Sequence, residues 1–174
     1  MYGTLQLVGV VAAARQDNRA DATTFLAEAE ESAHRLGQDA NYLWTAFGPT
    51  NVAIHRVGAA MELGDVQVAI DLGPRIDTTR LPTERRVRHT IETARAFARW
   101  NRVDSVLDML LDAESQAPEQ VRYHRLSRIL VQEMLSRPRP PSRAIELAAR
   151  MGLHRTDRRA DRRALSGQCP GSLP

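Results

Sequence analysis

The polar side chains best suited to binding a ligand lie at helical spacing in two predicted helices. Asn51 and His55 are four residues apart, so both lie on one face of a helix. Arg88, Glu92 and Arg95 share a face in the same way, and a shift of 37 residues takes Asn51 to Arg88 and His55 to Glu92. We expect these residues to line a polar groove. Its arginines suit the carboxylate of a peptide or small molecule, because a guanidinium group offers a forked pair of donors.

Two aromatic residues immediately precede this polar pair in a chain that is only 5% aromatic. Trp44 and Phe47 are followed by Gly48-Pro49, and proline is well suited to the first turn of a helix. We therefore expect Trp44 and Phe47 to border the groove at the point where the helix of Asn51 begins.

A structural role for each of these residues is the alternative. Asn51 can brace the start of its helix, and Trp44 and Phe47 can belong to the core. Arg88 and Glu92 can form a surface ion pair at i,i+4 spacing, worth a few tenths of a kcal/mol. Both interpretations stay open from the sequence.

No pattern of catalytic or metal-binding residues accompanies the groove. His55, His89 and His124 fall one in each of three predicted hairpins, whereas a zinc site needs three or four converging ligands. The chain has one cysteine, Cys169, and no glycine-rich phosphate loop or nucleophile elbow. We expect a protein without enzymatic activity and without a metal or cofactor.

Composition describes a soluble protein whose charge is unevenly distributed. No apolar run approaches the roughly 20 residues of a membrane span, so a cytoplasmic location is the default. Residues 1–150 carry 19 arginines and 19 acids, whereas residues 151–174 carry five arginines and two acids. The net charge of +3 therefore comes from the tail, and specific DNA binding by the body is not expected. Arg122, Arg125 and Arg128 form a basic stripe that either meets phosphates or is solvated and ion-paired.

Apolar residues recur at helical spacing along most of the chain, and no segment alternates as a strand does. Eight helices are predicted, at residues 5–15, 18–36, 49–63, 66–72, 82–100, 103–111, 118–135 and 142–153. Asn18 is expected to cap the second helix, and Gly37 to end it. The fold class is all-α.

The helices are expected to form stacked hairpins. The segment 62–66 aligns with 99–103 at the offset of 37 residues, and Asp17 with Ala22 can be placed on Gly64 with Ala69. The offset is close to the ~34-residue period of tetratricopeptide hairpins. We therefore predict a tetratricopeptide-like helical repeat domain over residues 1–153 and a disordered, arginine-rich tail over 154–174.

The first predicted helix is unusually apolar for the end of a repeat array. It carries Leu5, Leu7, Val8 and Val11 and has little polar surface, although terminal repeats normally present a polar outer face. This favours a neighbour that covers it, which is either an upstream segment or a second subunit in a homodimer.

Several stretches together resemble a known family. They are residues 2–5 and 12–15, 44–52 with His55, 62–65, 81–86 with His89 and 94–96, and 113–114 with 117–122. In collinear order over residues 2–153, they are similar to the C-terminal, tetratricopeptide-like half of actinobacterial regulators whose N-terminal half is a Cro/repressor-type (XRE-type) helix-turn-helix. The Phe47–Val52 stretch is the most specific of them.

The resemblance implies a sensing or oligomerisation module of a transcriptional regulator. Such regulators are longer, and the present chain has no segment with a helix-turn-helix layout at its N-terminus, so no DNA-binding residue can be carried over. A peptide, a protein or a small-molecule effector is the expected partner. A free-standing helical-repeat scaffold or adaptor is the alternative.

Overall fold

A computed structural model of the chain describes residues 1–41 and 45–154. Its helices are α1 (Tyr2–Arg15), α2 (Arg19–Leu36), α3 (Pro49–Glu62), α4 (Val66–Leu72), α5 (Thr83–Arg99), α6 (Val103–Gln116), α7 (Pro118–Tyr123), α8 (Arg125–Leu135) and α9 (Ser142–Arg150), with a 3₁₀ turn at Gly73–Arg75 after α4. Among these residues there is no strand, and only an isolated antiparallel bridge joins Ala40 to Phe47. The all-α prediction is confirmed.

Local sequence explains where the N-terminal helices begin and end. The Asn18 side chain accepts a hydrogen bond from the backbone N–H of Asp21 at 3.1 Å and so caps α2. Gly37 ends α2 in the left-handed conformation, at φ 73°. Pro49 occupies the first turn of α3, where no intrahelical N–H is needed. All three signals had been predicted from the sequence.

Three helix–helix turns share one backbone geometry. Each places a residue in the left-handed region after its first helix, with φ of 56° at Asp17, 81° at Gly64 and 57° at Asn101. In each turn, the next N–H donates to the carbonyl five residues earlier, a Schellman-type closure. These bonds run from Asn18 to Ala13 (2.9 Å), from Asp65 to Ala60 (2.8 Å) and from Arg102 to Phe97 (3.0 Å). The turn positions are the ones that the sequence alignment had matched.

Consecutive helices pack against each other in pairs, with α1 on α2, α3 on α4, α5 on α6 and α8 on α9. We call α1, α3, α5 and α8 the first helices of these pairs. They contact one another in succession: α3 lies against α1, and α5 lies against both α3 and α8. The largest core joins α5, α6, α8 and α9 through residues such as Ile91, Leu107, Leu110 and Leu147. Smaller clusters join α3 to α1 and α2 through Val52 and Ala59. This succession brings α1, α3 and α5 side by side.

The structure has one helix more than was predicted over the described residues. The predicted helix at 118–135 is divided at His124, whose backbone is extended (φ −67°, ψ 123°). The imidazole Nδ1 of His124 accepts the N–H of Leu126 at 3.2 Å and so caps α8. A side chain that competes with the backbone for hydrogen bonds explains why the helix restarts there.

Two predicted features lie beyond the reach of the structure. Trp44 and residues 155–174, which include most of the predicted arginine-rich tail, fall outside the described residues. Within the described part, no helix combines the length and the apolar character that a membrane crossing requires.

Candidate functional site

A pocket of about 200 Å³ lies between the three neighbouring first helices, α1, α3 and α5. Because these helices lie side by side, their exposed faces form one surface. The lining residues are Val11 and Arg15 from α1, Asn51, Ile54, His55, Gly58, Ala59 and Glu62 from α3, and Arg85, Arg88, His89 and Glu92 from α5. We call this the α1–α3–α5 pocket.

Most of the predicted groove residues meet in this pocket. Asn51 and His55 on α3 face Arg88 and Glu92 on α5, as the 37-residue offset had suggested. Arg95 lies one turn further along α5. It lines an adjoining pocket of about 650 Å³ that shares Glu62 and Glu92 with the first.

Phe47, one of the two aromatic residues predicted to border the groove, does not join this group. Phe47 packs against the cluster that contains Leu7 and Val52, and its ring fills the space beside Gly3 on α1. It contributes no atom to the lining of the α1–α3–α5 pocket. Phe47 therefore braces the start of α3 against α1, and Trp44 lies outside the described residues.

His55 lies in the pocket as a neutral imidazole. Its Nδ1 is 2.9 Å from the carbonyl oxygen of Asn51, which can only accept, so Nδ1 carries the proton. Burial lowers the pKa of His55, and the nearby positive charges of Arg85 and Arg88 lower it further, although the hydrogen bond to Asn51 opposes them. The remaining nitrogen, Nε2, is then a hydrogen-bond acceptor.

Asn51 is buried in the first turn of α3 but does not cap it. The N-cap residue is Gly48, which has no side-chain cap, and Asp39 instead bonds the backbone N–H of Thr50 at 3.0 Å and its hydroxyl at 2.6 Å. The side-chain amide of Asn51 makes no hydrogen bond to any described residue, although the residue is only 4% exposed. A buried amide that borders a pocket in this way is free to bind a ligand.

Arginine and glutamate are unevenly paired around the pocket. Arg95 bonds Glu62 at 2.8 Å and lies 3.7 Å from Glu92, so both carboxylates share one partner. The alternative surface pair between Arg88 and Glu92 does not form: within the described part of the chain, Arg88 makes no ion pair. Its guanidinium group is exposed beside the pocket.

Sequence analysis missed Arg15, Arg85 and His89 as lining residues. The imidazole Nε2–H of His89 donates to the Gly73 carbonyl at 2.9 Å, so His89 ties α5 to the turn after α4. Burial lowers its pKa, and the hydrogen bond to Gly73 and the charge of Glu92 oppose that shift. The Asp17–Gly64 alignment places Arg15 on Glu62, which is itself not among the predicted groove residues, so it gives no signal for Arg15.

The arginine stripe of the predicted seventh helix is mainly structural. Arg122 lies 3.4 Å from the Glu114 carboxylate, and Arg128 donates to the carbonyl oxygens of Arg122 at 3.1 Å and Met151 at 2.9 Å. Only Arg125 remains beside a pocket, the adjoining one. These contacts favour the ion-paired interpretation of the stripe over phosphate binding.

The geometry of the α1–α3–α5 pocket is suited to binding. In residues 1–41 and 45–154, no group of three or more histidine, cysteine, aspartate or glutamate side chains is placed to hold a metal ion. The pocket combines two arginines without an ion pair, Arg15 and Arg88, one imidazole and one unbonded amide with apolar walls from Val11 and Ile54. Polar groups that converge on one pocket can fix the orientation of a bound ligand.

Comparison with known proteins gives no relative for the chain. No protein-family model matches it, and neither a curated protein nor a solved structure is similar to it at a significant level. The function must therefore be inferred from the pocket and the fold.

Proposed function

We propose that the chain is a regulatory or interaction module, without enzymatic activity, that binds a peptide, a protein or a small-molecule effector in the α1–α3–α5 pocket. The observation that carries this proposal is the convergence of Asn51, His55 and Arg88 from two helices onto one pocket. Neither Asn51 nor Arg88 has a side-chain partner within the described residues, so both are available to bind a ligand, which supports the proposal.

The fold that we propose for this module is a tetratricopeptide-like stack. Three left-handed turns with the same hydrogen-bond closure and the succession of first helices support it. In such stacks, neighbouring first helices line the ligand-binding surface. The pocket between α1, α3 and α5 occupies the equivalent place here.

The family resemblance adds a regulatory role to this proposal. The module would be the sensor half of a transcriptional regulator that acts in the cytoplasm, and it would not bind specific DNA by itself. A free-standing scaffold is the alternative. An electrophoretic DNA-shift assay at moderate salt tests the first point: we expect no sequence-specific shift, and a specific shift by residues 1–154 alone would contradict the proposal.

Selection of ligands from a random peptide library tests the binding proposal. We expect peptides that perturb the NMR signals of α3 and α5, and that bind more weakly to Asn51→Ala. A matched control is Asn101→Gly, which changes an exposed amide at a left-handed turn position that glycine tolerates. Selected peptides that bind both variants equally well, or that perturb no signal of α3 and α5, would count against the pocket.

A second partner site is favoured by a comparison of equivalent helix positions. When the shared turns are aligned, Leu5 corresponds to Val52 and His89, and Ala12 corresponds to Ala59 and Ala96. Val52, His89, Ala59 and Ala96 are at most 8% exposed, because α3 and α5 each pack there on the preceding hairpin. On α1 the same face is open: Leu5 is 65% exposed and Ala12 is also exposed.

We propose that a second copy of the chain covers this face of α1 in a homodimer. Leu5 and Val8 lie on it, both more than half exposed, with no charge between them, so two copies can meet across a twofold axis without burying charge.

Sedimentation of the whole chain tests the dimer. We expect a dimer that Val8→Glu converts to a monomer, because the substitution places a charge in the contact. Val68→Glu, at an exposed valine on α4, is the matched control and should leave the dimer intact. A monomeric parent chain, or a Val8→Glu variant that remains dimeric, would refute the proposed interface.

A further inference from the structure

The rim of the α1–α3–α5 pocket carries more unpaired positive charge than the balanced sequence suggests. Within the described residues, Arg15 and Arg88 make no ion pair. Arg85 reaches a carboxylate only at 3.5 Å, that of its neighbour Glu84. The two acids of the rim, Glu62 and Glu92, share Arg95. A negatively charged group can therefore enter the pocket without displacing an existing ion pair.

The His55 imidazole and the Asn51 amide, both neutral, lie beside these arginines. They indicate which hydrogen-bonding group a ligand should carry next to its negative charge. His55 uses its Nδ1–H on the Asn51 carbonyl, so its Nε2 offers a lone pair and has no partner in the described structure. An acceptor of this kind is matched by an N–H or O–H group of a ligand. The Asn51 amide, nine-tenths buried and unbonded, can both donate and accept at the same place.

We propose that the α1–α3–α5 pocket binds a carboxylate that bears an N–H or O–H donor on the neighbouring carbon. Arg88 and Arg15 hold the carboxylate, His55 Nε2 accepts the donor, and Asn51 bonds the remaining polar atom. Acylamino acids, hydroxy acids and the C-terminal residue of a peptide all share this chemistry. The inference rests on the proposed function and names the ligand class for the same pocket.

The volume of the pocket limits the size of the ligand, and the adjoining pocket indicates where the rest of a longer ligand would lie. A volume of about 200 Å³ is below the roughly 300–1,000 Å³ of pockets for drug-sized ligands, so the pocket holds one small acid or one peptide residue. The adjoining pocket of about 650 Å³ shares Arg15, Glu62 and Glu92 with it and extends to Ile129 on α8. A peptide bound by its C-terminus would place its preceding residues there, whereas a free acid would not use it.

Histidine side-chain NMR of the full-length chain tests the proposal. The probes are N-acetylalanine, its amide, lactate and a tetrapeptide with an acetylated N-terminus and a free carboxylate. Probes are added to about 10 mM, where a ligand with a millimolar Kd occupies most of the sites. His55→Gln assigns the His55 signal. We expect the carboxylates to shift this signal, and the amide to leave it in place.

Two variants decide whether the arginine is responsible. Arg88→Gln should weaken binding of the carboxylates about tenfold or more, since a hydrogen bond to a charged group is lost. Arg139→Gln, an exposed arginine outside both pockets, should bind as the parent chain does. Tighter binding of the tetrapeptide than of N-acetylalanine would identify a peptide as the source of the carboxylate, and equal binding would identify a small acid.

Three results would overturn the assignment of the ligand class. They are an equal shift of His55 by the amide, equal affinity of Arg88→Gln and the parent chain, and no shift with any carboxylate. The proposed function is tested separately by the peptide selection. If peptides without a free C-terminus bind at α3 and α5 while the carboxylates do not, the carboxylate class is wrong and the binding pocket stands.

Discussion

Glu114 joins three helices of the C-terminal core through one carboxylate. It lies near the end of α6 and is 8% exposed. Arg150 on α9 donates two hydrogen bonds to its carboxylate, from Nε to Oε1 at 3.0 Å and from Nη2 to Oε2 at 2.7 Å. The Nε of Arg122 on α7 lies 3.4 Å from Oε1. We expect Glu114→Gln to destabilise the fold, because the amide removes the negative charge and points an N–H towards a guanidinium group.

The size of the destabilisation depends on how far the two arginine partners of Glu114 are exposed to water. Removing one member of a fully buried ion pair costs about 3–5 kcal/mol. The side chains of Arg150 and Arg122 are 40% and 32% exposed, so water still solvates them after the carboxylate is lost. The contribution of a hydrogen bond to a charged group is therefore a better guide than the cost of breaking a buried ion pair. On that basis we expect a loss of about 2 kcal/mol in the free energy of unfolding.

Denaturation by urea at two pH values measures this loss. The hydrogen bond from Arg150 lowers the pKa of Glu114, although burial opposes it. Because the folded-state pKa lies below the unfolded value, the stabilisation is complete above the unfolded pKa and is lost as the pH falls through the folded one. The parent chain should exceed Glu114→Gln by about 2 kcal/mol at pH 7, with the difference shrinking in acid.

Glu133→Gln serves as the control, because Glu133 is exposed on α8 and has no ion pair within the described chain. It should change the unfolding free energy by less than about 0.5 kcal/mol. Equal stability of the parent chain and Glu114→Gln at pH 7, or a difference that persists unchanged in acid, would refute the reasoning about this carboxylate.

Three further predictions concern α1 and the pocket. Gly3→Ala should destabilise the chain by about 1–3 kcal/mol in urea denaturation, because the new methyl group overlaps the Phe47 ring. Adding Phe47→Leu to this variant should recover part of the lost stability. No recovery in the double variant would contradict the contact. Gly58→Ala should instead stabilise the chain by about 0.5–1 kcal/mol, since its methyl group meets no atom within 4 Å on a helix; destabilisation would contradict this. NMR titration should give His55 a pKa below 6.5 that rises in Arg88→Gln, where a nearby positive charge is lost; an unchanged pKa would place Arg88 too far away.

The helix pattern was predictable because its signals are local. Asn18, Gly37 and Pro49 act through the backbone within a few residues, and each does so as predicted. The break at His124 was missed because it depends on a side chain that competes for the N–H of Leu126. Nothing in the apolar spacing of residues 118–135 reveals that competition.

The pocket was predictable in part, through the repeat offset. The offset relates α3 to α5 and so places Asn51 with Arg88 and His55 with Glu92, whereas the alignment of Asp17 with Gly64 assigns no residue of α1 to the groove. The expected place of Phe47 depended on which side of α3 the preceding loop approaches. Packing on Gly3 decides that side, and no periodicity encodes it.

The pairing of charges was beyond sequence reasoning for a different reason. Arg95 was predicted to share a face with Arg88 and Glu92, and it does, but its main partner is Glu62 on the neighbouring helix at 2.8 Å. Ion pairs between helices depend on how two helices cross, and that angle is set by core packing. The same is true of Glu114 and Arg150, which are 36 residues apart.

Mapping the binding position of a selected peptide by NMR tests the central claim most directly. The account predicts that perturbed signals concentrate on the pocket face of α3 and α5, around His55 and Arg88. The chain offers a competing location, a larger and mostly apolar pocket between α2, α3 and α4 that is lined by Val52, Arg56 and Ile76. Perturbations centred there, with His55 unchanged, would contradict the account.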